Sequence, residues 1–367
     1  MPKTMAGALL ESDRTSKGHK VEDCRMMKKI IKLGVACLMA ATIMVGCANS
    51  TEVKAESNSD SNADLENVVA EQTWTIGITQ IVEHPALDAA RDGFIEALNK
   101  AGFEGKVEYV SKSAQGEMTT AQIIAQGFVD DKVDMIYAIA TPAAQAAYNS
   151  TKDIPILISA VTDPVAAGLV ENSTLPNTNV SGTNDEAPID LQLKLLRDLG
   201  VEAKTIGFIY NTSEKNSEVQ LEMLKNEAAK LDITVEAMGI TSLTELEQGL
   251  DVLLDKVDVL YTPTDNMVAS GIQLVTNKAL GKKVPVLGAE SAHVEAGALA
   301  TCGVDYFALG KQTGEMAAAV LNGAVISEMP VQKALSPEVT INKVTADALG
   351  LTVSDALLES GNIIGVN

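Results

Sequence analysis

The chain repeats one order of secondary structure twice. Short β-branched runs alternate with amphipathic stretches of roughly 12 to 18 residues, a pattern that predicts βαβ units and a parallel sheet. Three landmarks of the first round recur in the second at offsets between 121 and 130 residues: Thr75-Ile-Gly as Thr205-Ile-Gly, Ala140-Thr-Pro as Tyr261-Thr-Pro, and Ile154-Pro-Ile as Val284-Pro-Val. The repeat predicts an α/β protein with two doubly wound parallel-sheet lobes.

The predicted elements divide at about residue 180. The first round has strands at 75–79, 107–110, 135–140 and 156–159, and helices at 84–101, at 117–130 and from 141. The second has strands at 205–210, 233–239, 257–261 and 284–287, and helices at 213–231, 242–254 and 267–280. Loops at the carboxyl ends of parallel strands face ligands in such sheets, so two lobes in series predict a cleft between them.

The remaining chain is long enough to cross back between the lobes. We expect lobe 1 to comprise 74–180 with about 288–310 returning to it, and lobe 2 to comprise 181–287 with about 311–335. The tail, 336–367, is expected to pack across both lobes.

Residues 1–46 read as an export signal, with lysines at 28, 29 and 32 before an uncharged run at 33–46. The run is 14 residues long, short of the roughly 20 that a spanning helix needs. It ends at Met44-Val-Gly-Cys47, which resembles the lipobox of bacterial lipoproteins and implies a lipid on Cys47. The alternative is an ordinary cleaved signal with an incidental cysteine. Acidic residues before Met26 favour a translation start at Met26 or Met27 instead of Met1.

The composition excludes several partners. Residues 47–73 lack aromatic residues and read as a solvated tether. Residues 1–46 hold eight Lys or Arg and four Asp or Glu of the chain's 28 and 49, so the remainder has a net charge of −25. Phosphate backbones and anionic lipid head groups would repel such a chain. We therefore expect no nucleic-acid binding and no peripheral membrane face, the lipid anchor apart.

An enzyme is the alternative from a different class of function, because doubly wound folds also host enzymes. The chain has no GxxxxGK[ST], no GxGxxG after the first strand, no GxSxG and no HExxH. Only His84 and His293 follow residue 46, which leaves little for a histidine triad or a zinc site. The sequence predicts no catalytic residue, no metal and no cofactor.

Four motifs stand out in the chain: Ala160-Val-Thr-Asp-Pro164, Thr264-Asp-Asn266, the run from Gly297 to Ala317, and Asn342 to Thr352. Together they resemble the substrate-binding lipoproteins of ABC transporters associated with tryptophan and tyrosine uptake. The resemblance covers residues 74–358 and implies a type I periplasmic-binding-protein fold with three hinge crossings and a ligand cleft. It also implies an amino-acid-like ligand, an aromatic one first of all.

A free amino acid offers a carboxylate and an ammonium group to its receptor. The predicted helix at Thr141-Pro142 follows a strand directly, with Thr141 as N-cap, and helix starts bind anions. We expect Thr141 and the amides of Ala143 and Ala144 to hold the carboxylate. Asp163, Asp265 and Glu290 follow predicted strands and are candidates for the ammonium group, with Asp265 first. Each of them could equally cap a helix or a turn.

Further polar residues lie in loops predicted to face the cleft, where contact with the ligand and local turn formation both remain possible. They are Gln80, Glu83, His84, Thr162, Asn184, Asn211, Asn216, Ser217 and Asn266.

The resemblance implies a monomeric receptor, lipid-anchored through Cys47 on the outer face of the cytoplasmic membrane, that serves an ABC permease and its ATPase. Receptors for a sugar, a nucleoside or a signalling molecule, and a sensor partner, are the alternatives within binding. Only 12 residues of the chain are aromatic, whereas sugar pockets commonly stack their ligands on aromatic rings, so the composition disfavours sugars.

Overall fold

The structure, a computed structural model, describes residues 72–335 and 337–365. The predicted signal, Cys47 and the tether up to residue 71 lie outside the described residues. No helix within the described ranges is long and apolar enough to cross a membrane.

Lobe 1 is built on a six-stranded parallel sheet with the strand order β11-β5-β4-β3-β1-β2. Helices cover both of its faces, so a central strand such as β3 is buried throughout and reads as a continuous apolar run. Its strands are β1 (Trp74–Gln80), β2 (Val107–Ser113), β3 (Met135–Ile139), β4 (Ile156–Ser159), β5 (Val180–Asn184) and β11 (Gln332–Lys333). Its helices are α1 (Pro85–Leu98, continued by a π-turn at Asn99–Phe103), α2 (Met118–Asp130), α3 (Thr141–Ser150) and α10 (Tyr306–Leu321), with a 3₁₀ turn at Ile326–Glu328.

Lobe 2 is built on a seven-stranded sheet with the order β13-β12-β10-β9-β8-β6-β7, parallel except for the β10–β12 pair. Its strands are β6 (Thr205–Asn211), β7 (Thr234–Ile240), β8 (Val259–Thr262), β9 (Val286–Gly288), β10 (Ala300–Gly303), β12 (Glu338–Asn342) and β13 (Asn362–Ile364). Its helices are α4 (Ile189–Asp198), α5 (Lys215–Ala229), α6 (Leu243–Leu253), α7 (Asn266–Ser270), α8 (Ile272–Gly281), α9 (Ser291–Glu295), α11 (Lys343–Ala348) and α12 (Asp355–Ser360).

The chain passes between the two sheets three times, at 184–189, 303–306 and 333–338. The sheets differ from the predicted division of the later segments. Residues 288–303 stay in lobe 2, because β9 and β10 extend its sheet, whereas α10 and β11 belong to lobe 1. In the described part of the tail, β12 pairs antiparallel with β10 and thereby joins lobe 2.

Helix α10 is held in lobe 1 by close contact with α1. Gly310 and Gly314 of α10 face Ala90 and Phe94 of α1, and Gly93 of α1 faces Phe307 of α10. A Cβ on Gly310 would lie 1.9 Å from the Ala90 carbonyl oxygen. The glycines therefore let the two backbones touch, and beneath them the rings of Phe94 and Tyr137 stack with centroids 3.9 Å apart.

We expect Gly310→Ala to lower the free energy of unfolding by about 1–3 kcal/mol, because the added methyl group overpacks this contact. Gly281→Ala is the matched control: it is also a helical glycine, and its Cβ would meet no atom within 4 Å. That change should be neutral or slightly stabilising, since alanine is the better helix former. Urea denaturation of both variants measures the difference, and equal midpoints would contradict the packing argument.

Candidate functional site

A small cavity lies between the two lobes, where the carboxyl ends of their parallel strands face each other. Its volume is about 10 Å³. One water molecule needs roughly 10–15 Å³, so the cavity has room for about one water. The lining residues are His84, Leu87, Ala140, Ala160, Asp185 and Tyr306 from lobe 1 and its crossings, and Thr264, Asp265, Asn266, Ala269 and Glu290 from lobe 2.

Direct contacts between the lobes close this cavity. The Thr162 and Thr264 hydroxyl oxygens are 3.4 Å apart across the gap. The His84 ring lies against the Asn266 side chain; burial lowers the pKa of His84 to about 4, and this contact only partly offsets the effect. His84 is therefore neutral at pH 7. An amino acid can enter only when the lobes separate.

One wall of the cavity carries two buried carboxyl groups, Asp185 and Glu290, each 2% exposed. The Tyr306 hydroxyl donates to Asp185 Oδ2 over 2.7 Å, and the Thr162 hydroxyl donates to Asp185 Oδ1 over 3.1 Å. None of the residues that line the cavity is a lysine or an arginine. The wall therefore favours a cation.

Burial governs the charge of both groups. Desolvation raises the pKa of Glu290 to about 8, and the nearby Asp185 carboxylate adds to the shift. Desolvation also raises the pKa of Asp185, while hydrogen bonds from Tyr306 and Thr162 act in the opposite direction. Glu290 Oε1 has no hydrogen-bond partner among the described residues, so it is available to a ligand.

Asp265, our first candidate for the ammonium group, proves to be a structural cap. Its Oδ1 accepts from the amides of Met267 and Val268 at the start of α7, over 3.0 and 2.9 Å. Its Oδ2 accepts from the Asn211 amide over 2.7 Å and from the Ser217 hydroxyl over 2.6 Å. Each oxygen thus accepts two hydrogen bonds, so the structure gives Asp265 a capping role at the border of the cavity, and its contact with the ammonium group stays a prediction.

The predicted polar residues of lobe 2 form one network around Asp265 and the buried Glu214. Glu214 Oε2 accepts from the Asn266 amide nitrogen over 3.1 Å and from the side-chain amides of Asn266 and Asn216 over 2.6 and 3.1 Å. Desolvation, followed by the Asp265 charge, raises the pKa of Glu214 to about 7. Asn211, Asn216, Ser217 and Asn266 thus shape the loops of lobe 2, and of these four only Asn266 lines the cavity.

The start of α3 differs in detail from the prediction. Ala140, not Thr141, is the N-cap, with φ 80° and ψ 151°, and the Ala144 amide is already bonded to the Ala140 carbonyl over 3.0 Å. The Ala143 amide belongs to the first turn, which has no intrahelical partner. The buried Thr141 hydroxyl has no hydrogen-bond partner among the described residues. Ala140 and Ala160 both hold positive φ at the cavity, the kind of backbone strain that clusters at ligand sites.

Besides Thr162, the residues of α3 and three members of the lobe 2 network, four further predicted residues lie outside the cavity lining. Gln80 bonds to Asp88 and Arg91 along α1, at 3.1 Å in both cases, and Glu83 is exposed. Asp163 caps a turn by accepting from the amides of Val165 and Ala166. Asn184 is buried at a crossing, where its carbonyl accepts from the Ala334 amide over 3.2 Å.

The prediction missed Asp185, Tyr306, Thr264 and Glu214. The rule that selected strand ends could have found Asp185, since it follows β5 directly. Tyr306 becomes part of the site only because α10 begins at the second crossing.

Two α/β lobes joined by three crossings, with a polar cavity enclosed between strand ends, define a solute-binding protein with the type I periplasmic fold. The chain belongs to the ABC transporter substrate binding protein family, whose model matches residues 75–363.

Its relatives include proteins with named ligands. The chain is 44% identical over 330 residues to a "Tyrosine-binding protein" of Clostridioides difficile, covering 88% of this chain and 93% of that protein. A Streptococcus pneumonia domain in complex with L-Trp is 34% identical, with a TM-score of 0.78, over 80% of this chain and 100% of that one. One relative is thus named for binding an amino acid, and the other holds one in its structure.

The comparison structures also bear on the arrangement of the lobes. The ligand-free, open structure of a Clostridium difficile substrate binding protein with adhesive properties is 49% identical over 80% of this chain and 100% of that one, yet its TM-score is only 0.64. The less similar sequence with bound L-Trp superposes better. The lobes of this protein are therefore arranged more like those of the liganded relative.

Proposed function

We propose that the protein captures an aromatic amino acid, tyrosine or tryptophan, between its lobes and delivers it to the permease of an ABC importer. The observation that carries the proposal is the cavity wall formed by Asp185 and Glu290, which are buried beside each other with no lysine or arginine in the lining. Such a wall is costly unless a cation enters, because buried carboxylates need a partner. The ammonium group of an amino acid supplies one.

The start of α3, whose cap residue Ala140 lines the cavity, suits the ligand carboxylate. The unpartnered Thr141 hydroxyl and the Ala143 amide stand at the start of α3, where the helix dipole favours negative charge. The neutral ring of His84 has an unpartnered Nδ1 nearby. The cavity thus offers carboxyl groups to the ammonium group of a zwitterion and hydrogen-bond donors to its carboxylate.

The apolar part of the lining is made of small side chains. Ala140 and Ala160 of lobe 1 and Ala269 of lobe 2 leave room for a planar ring once the lobes part slightly, and Leu87 offers it an aliphatic surface. Tyr306 is the one aromatic residue among the lining residues, and it is engaged with Asp185. This lining suits an aromatic amino acid better than a sugar, which needs ring faces on which to stack.

The mechanism follows from contacts on both sides of the gap. A ligand whose carboxylate is held at the start of α3 in lobe 1 and whose ammonium group is held by Glu290 in lobe 2 binds the closed form better than an open one, so it shifts the population toward closure. The permease would then recognise the closed form. We further propose that the chain is exported and anchored as a monomer through a lipid on Cys47 at the outer face of the cytoplasmic membrane. There it would serve the permease and the ATPase of the importer.

A thermal-shift screen of residues 47–367, with Cys47 replaced by serine to avoid lipidation, tests the ligand. A ligand at 100 times its dissociation constant adds about 2.7 kcal/mol to stability, which should raise the melting temperature by roughly 5 °C. Tyrosine or tryptophan should give this rise, and lysine, glutamate and glucose should not. A rise with sugars or nucleosides alone would refute the proposal.

A further inference from the structure

A second groove lies between the lobes, beside the second crossing. Its volume is about 250 Å³, against about 10 Å³ for the cavity described above, and Tyr306 lines both. Lobe 2 contributes residues of α9, β10, β12 and β13 to the groove. Lobe 1 contributes residues of α1 and α10, namely Pro85, Ala86, Ala89 and Phe307. The groove can therefore hold a small molecule that touches both lobes.

The two walls of this groove differ in chemistry. The lobe 1 wall is apolar, with small side chains of α1 and the Phe307 ring, which is 36% exposed. The other wall carries three exposed carboxylates from three elements: Glu295 of α9, Asp305 at the crossing and Glu338 of β12. Asp305 Oδ1 also accepts from the Ala308 amide at the start of α10, over 3.0 Å. None of the ion pairs within residues 72–335 and 337–365 involves any of the three carboxylates.

The lining of the groove contains no lysine or arginine to balance these charges. Lys311 of α10 approaches the Phe307 ring, with Nζ 5.7 Å from the ring centroid, but it pairs with Glu96 over 3.5 Å and does not line the groove. A surface concavity that carries charge of one sign concentrates ions of the other sign. The groove therefore favours a cation.

A buried hydroxyl among the lining residues has no partner. Thr301 of β10 is 0% exposed, and its Oγ1 makes no hydrogen bond to any described residue. In the antiparallel ladder Thr301 pairs with Thr340 and Gly303 pairs with Glu338, so these four residues share one face of the sheet. Gly303 has no side chain to cover the hydroxyl, because a Cβ there would lie 3.1 Å from Thr301 Oγ1. Since buried polar groups nearly always have a partner, this hydroxyl indicates a ligand that donates a hydrogen bond.

We propose that this groove binds a small primary amine with an apolar body, and that the amine acts as an effector that holds the lobes together. Its ammonium group, with three N–H donors, lies between the carboxylates and the Thr301 hydroxyl. Its apolar body packs against Phe307 and the alanines of α1.

The effect on the main ligand follows from the position of the groove. An amine that contacts both lobes binds the arrangement seen here better than an arrangement with separated lobes. It therefore raises the affinity for the amino acid, and the amino acid raises the affinity for the amine by the same factor. This coupling rests on the proposed function, whereas the binding of the amine itself does not.

Benzylamine is a suitable probe, and benzyl alcohol is its uncharged control. The protein is that of the ligand screen, and thermal melts and calorimetry are the measurements. Millimolar benzylamine should raise the melting temperature without amino acid by about 2 °C or more. It should also raise the affinity for tyrosine or tryptophan about fivefold or more. Benzyl alcohol should do neither.

Two variants test the site. Glu338→Gln removes one charge, and Thr301→Val removes the hydroxyl while keeping the shape of the side chain. Each should cancel both effects of benzylamine and leave the amino-acid affinity without amine within about twofold. Thr301→Val should fold normally, because valine leaves no buried polar group without a partner. Glu236→Gln, the same charge change on β7 at the opposite edge of the sheet, should keep both effects.

The outcomes separate the two proposals. If benzylamine lowers the affinity for tyrosine, it competes for the wall of Asp185 and Glu290, and the inference is wrong. Benzylamine effects that survive in both Glu338→Gln and Thr301→Val, or that benzyl alcohol reproduces, would also overturn it. If no amino acid binds while benzylamine still stabilises the wild type but not these variants, the groove is a binding site and the proposed function is wrong.

Discussion

Asp185→Asn is expected to weaken the binding of tyrosine or tryptophan by about 30-fold or more while leaving the protein folded. Truncating one partner of a buried, hydrogen-bonded charge pair costs roughly 2–5 kcal/mol of binding free energy, and each 1.4 kcal/mol is about tenfold in affinity. Asparagine keeps the shape of the side chain and can still accept from the Tyr306 or the Thr162 hydroxyl. It cannot balance an ammonium charge.

The fold should tolerate this change because burial already disfavours the Asp185 charge, as the raised pKa shows. Replacing a buried charge with a neutral isostere is often neutral or stabilising. The melting temperature without ligand should therefore stay level or rise slightly. Calorimetry for affinity and a thermal melt for stability test the two halves of the expectation separately.

Asp163→Asn is the matched control. Asp163 is an aspartate of the same lobe, on the loop after β4, but its carboxylate caps a turn and does not line the cavity. Its replacement should leave the affinity within about twofold, a difference of some 0.4 kcal/mol. If Asp185→Asn bound as tightly as the control, Asp185 would not be the partner of the ammonium group.

The secondary structure was predictable because each element carries its own local signal. The apolar run at 135–140 became β3, and the glycine after residue 101 marks the end of the α1 region. The lobe to which a later segment belongs was not predictable in the same way. Helix α10 could have packed on either sheet, and long-range contacts decide it: Gly310 and Gly314 fit against α1, and the Thr313 hydroxyl bonds to hydroxyl groups of the lobe 1 strands β4 and β5.

The position of the candidate site was predictable from the sequence, but the roles of its residues were not. Strand ends pointed to His84, Asp265, Asn266 and Glu290, and all four line the cavity. A free carboxylate and a capping carboxylate follow strands in the same way, so the sequence could not tell Glu290 from Asp265. The difference depends on which amides lie within reach, and this is fixed by the tertiary arrangement of β6, α5 and α7.

Asp265→Ala is expected to destabilise lobe 2 rather than merely remove a ligand contact. The alanine would leave four hydrogen-bond donors without an acceptor: the amides of Asn211, Met267 and Val268 and the Ser217 hydroxyl. A lost N-cap costs about 1 kcal/mol, and each buried donor left without a partner costs roughly 1–3 kcal/mol. A total near 3–5 kcal/mol would lower the melting temperature by roughly 6 °C or more.

Asp265→Asn separates capping from charge. Its side-chain oxygen can still accept from the start of α7, while its amide group faces the Asn211 amide, which has no acceptor to offer it. We therefore expect an intermediate loss of stability, measured by urea denaturation beside the alanine variant. Should Asp265→Ala unfold at the wild-type urea concentration yet fail to bind any amino acid, the ammonium partner would be Asp265 after all. Asp265 accepts hydrogen bonds from its own loops, whereas Asp185 and Glu290 face the gap. We therefore expect substitutions of Asp265 to lower the stability of the protein, and substitutions of Asp185 or Glu290 to lower its affinity for the ligand.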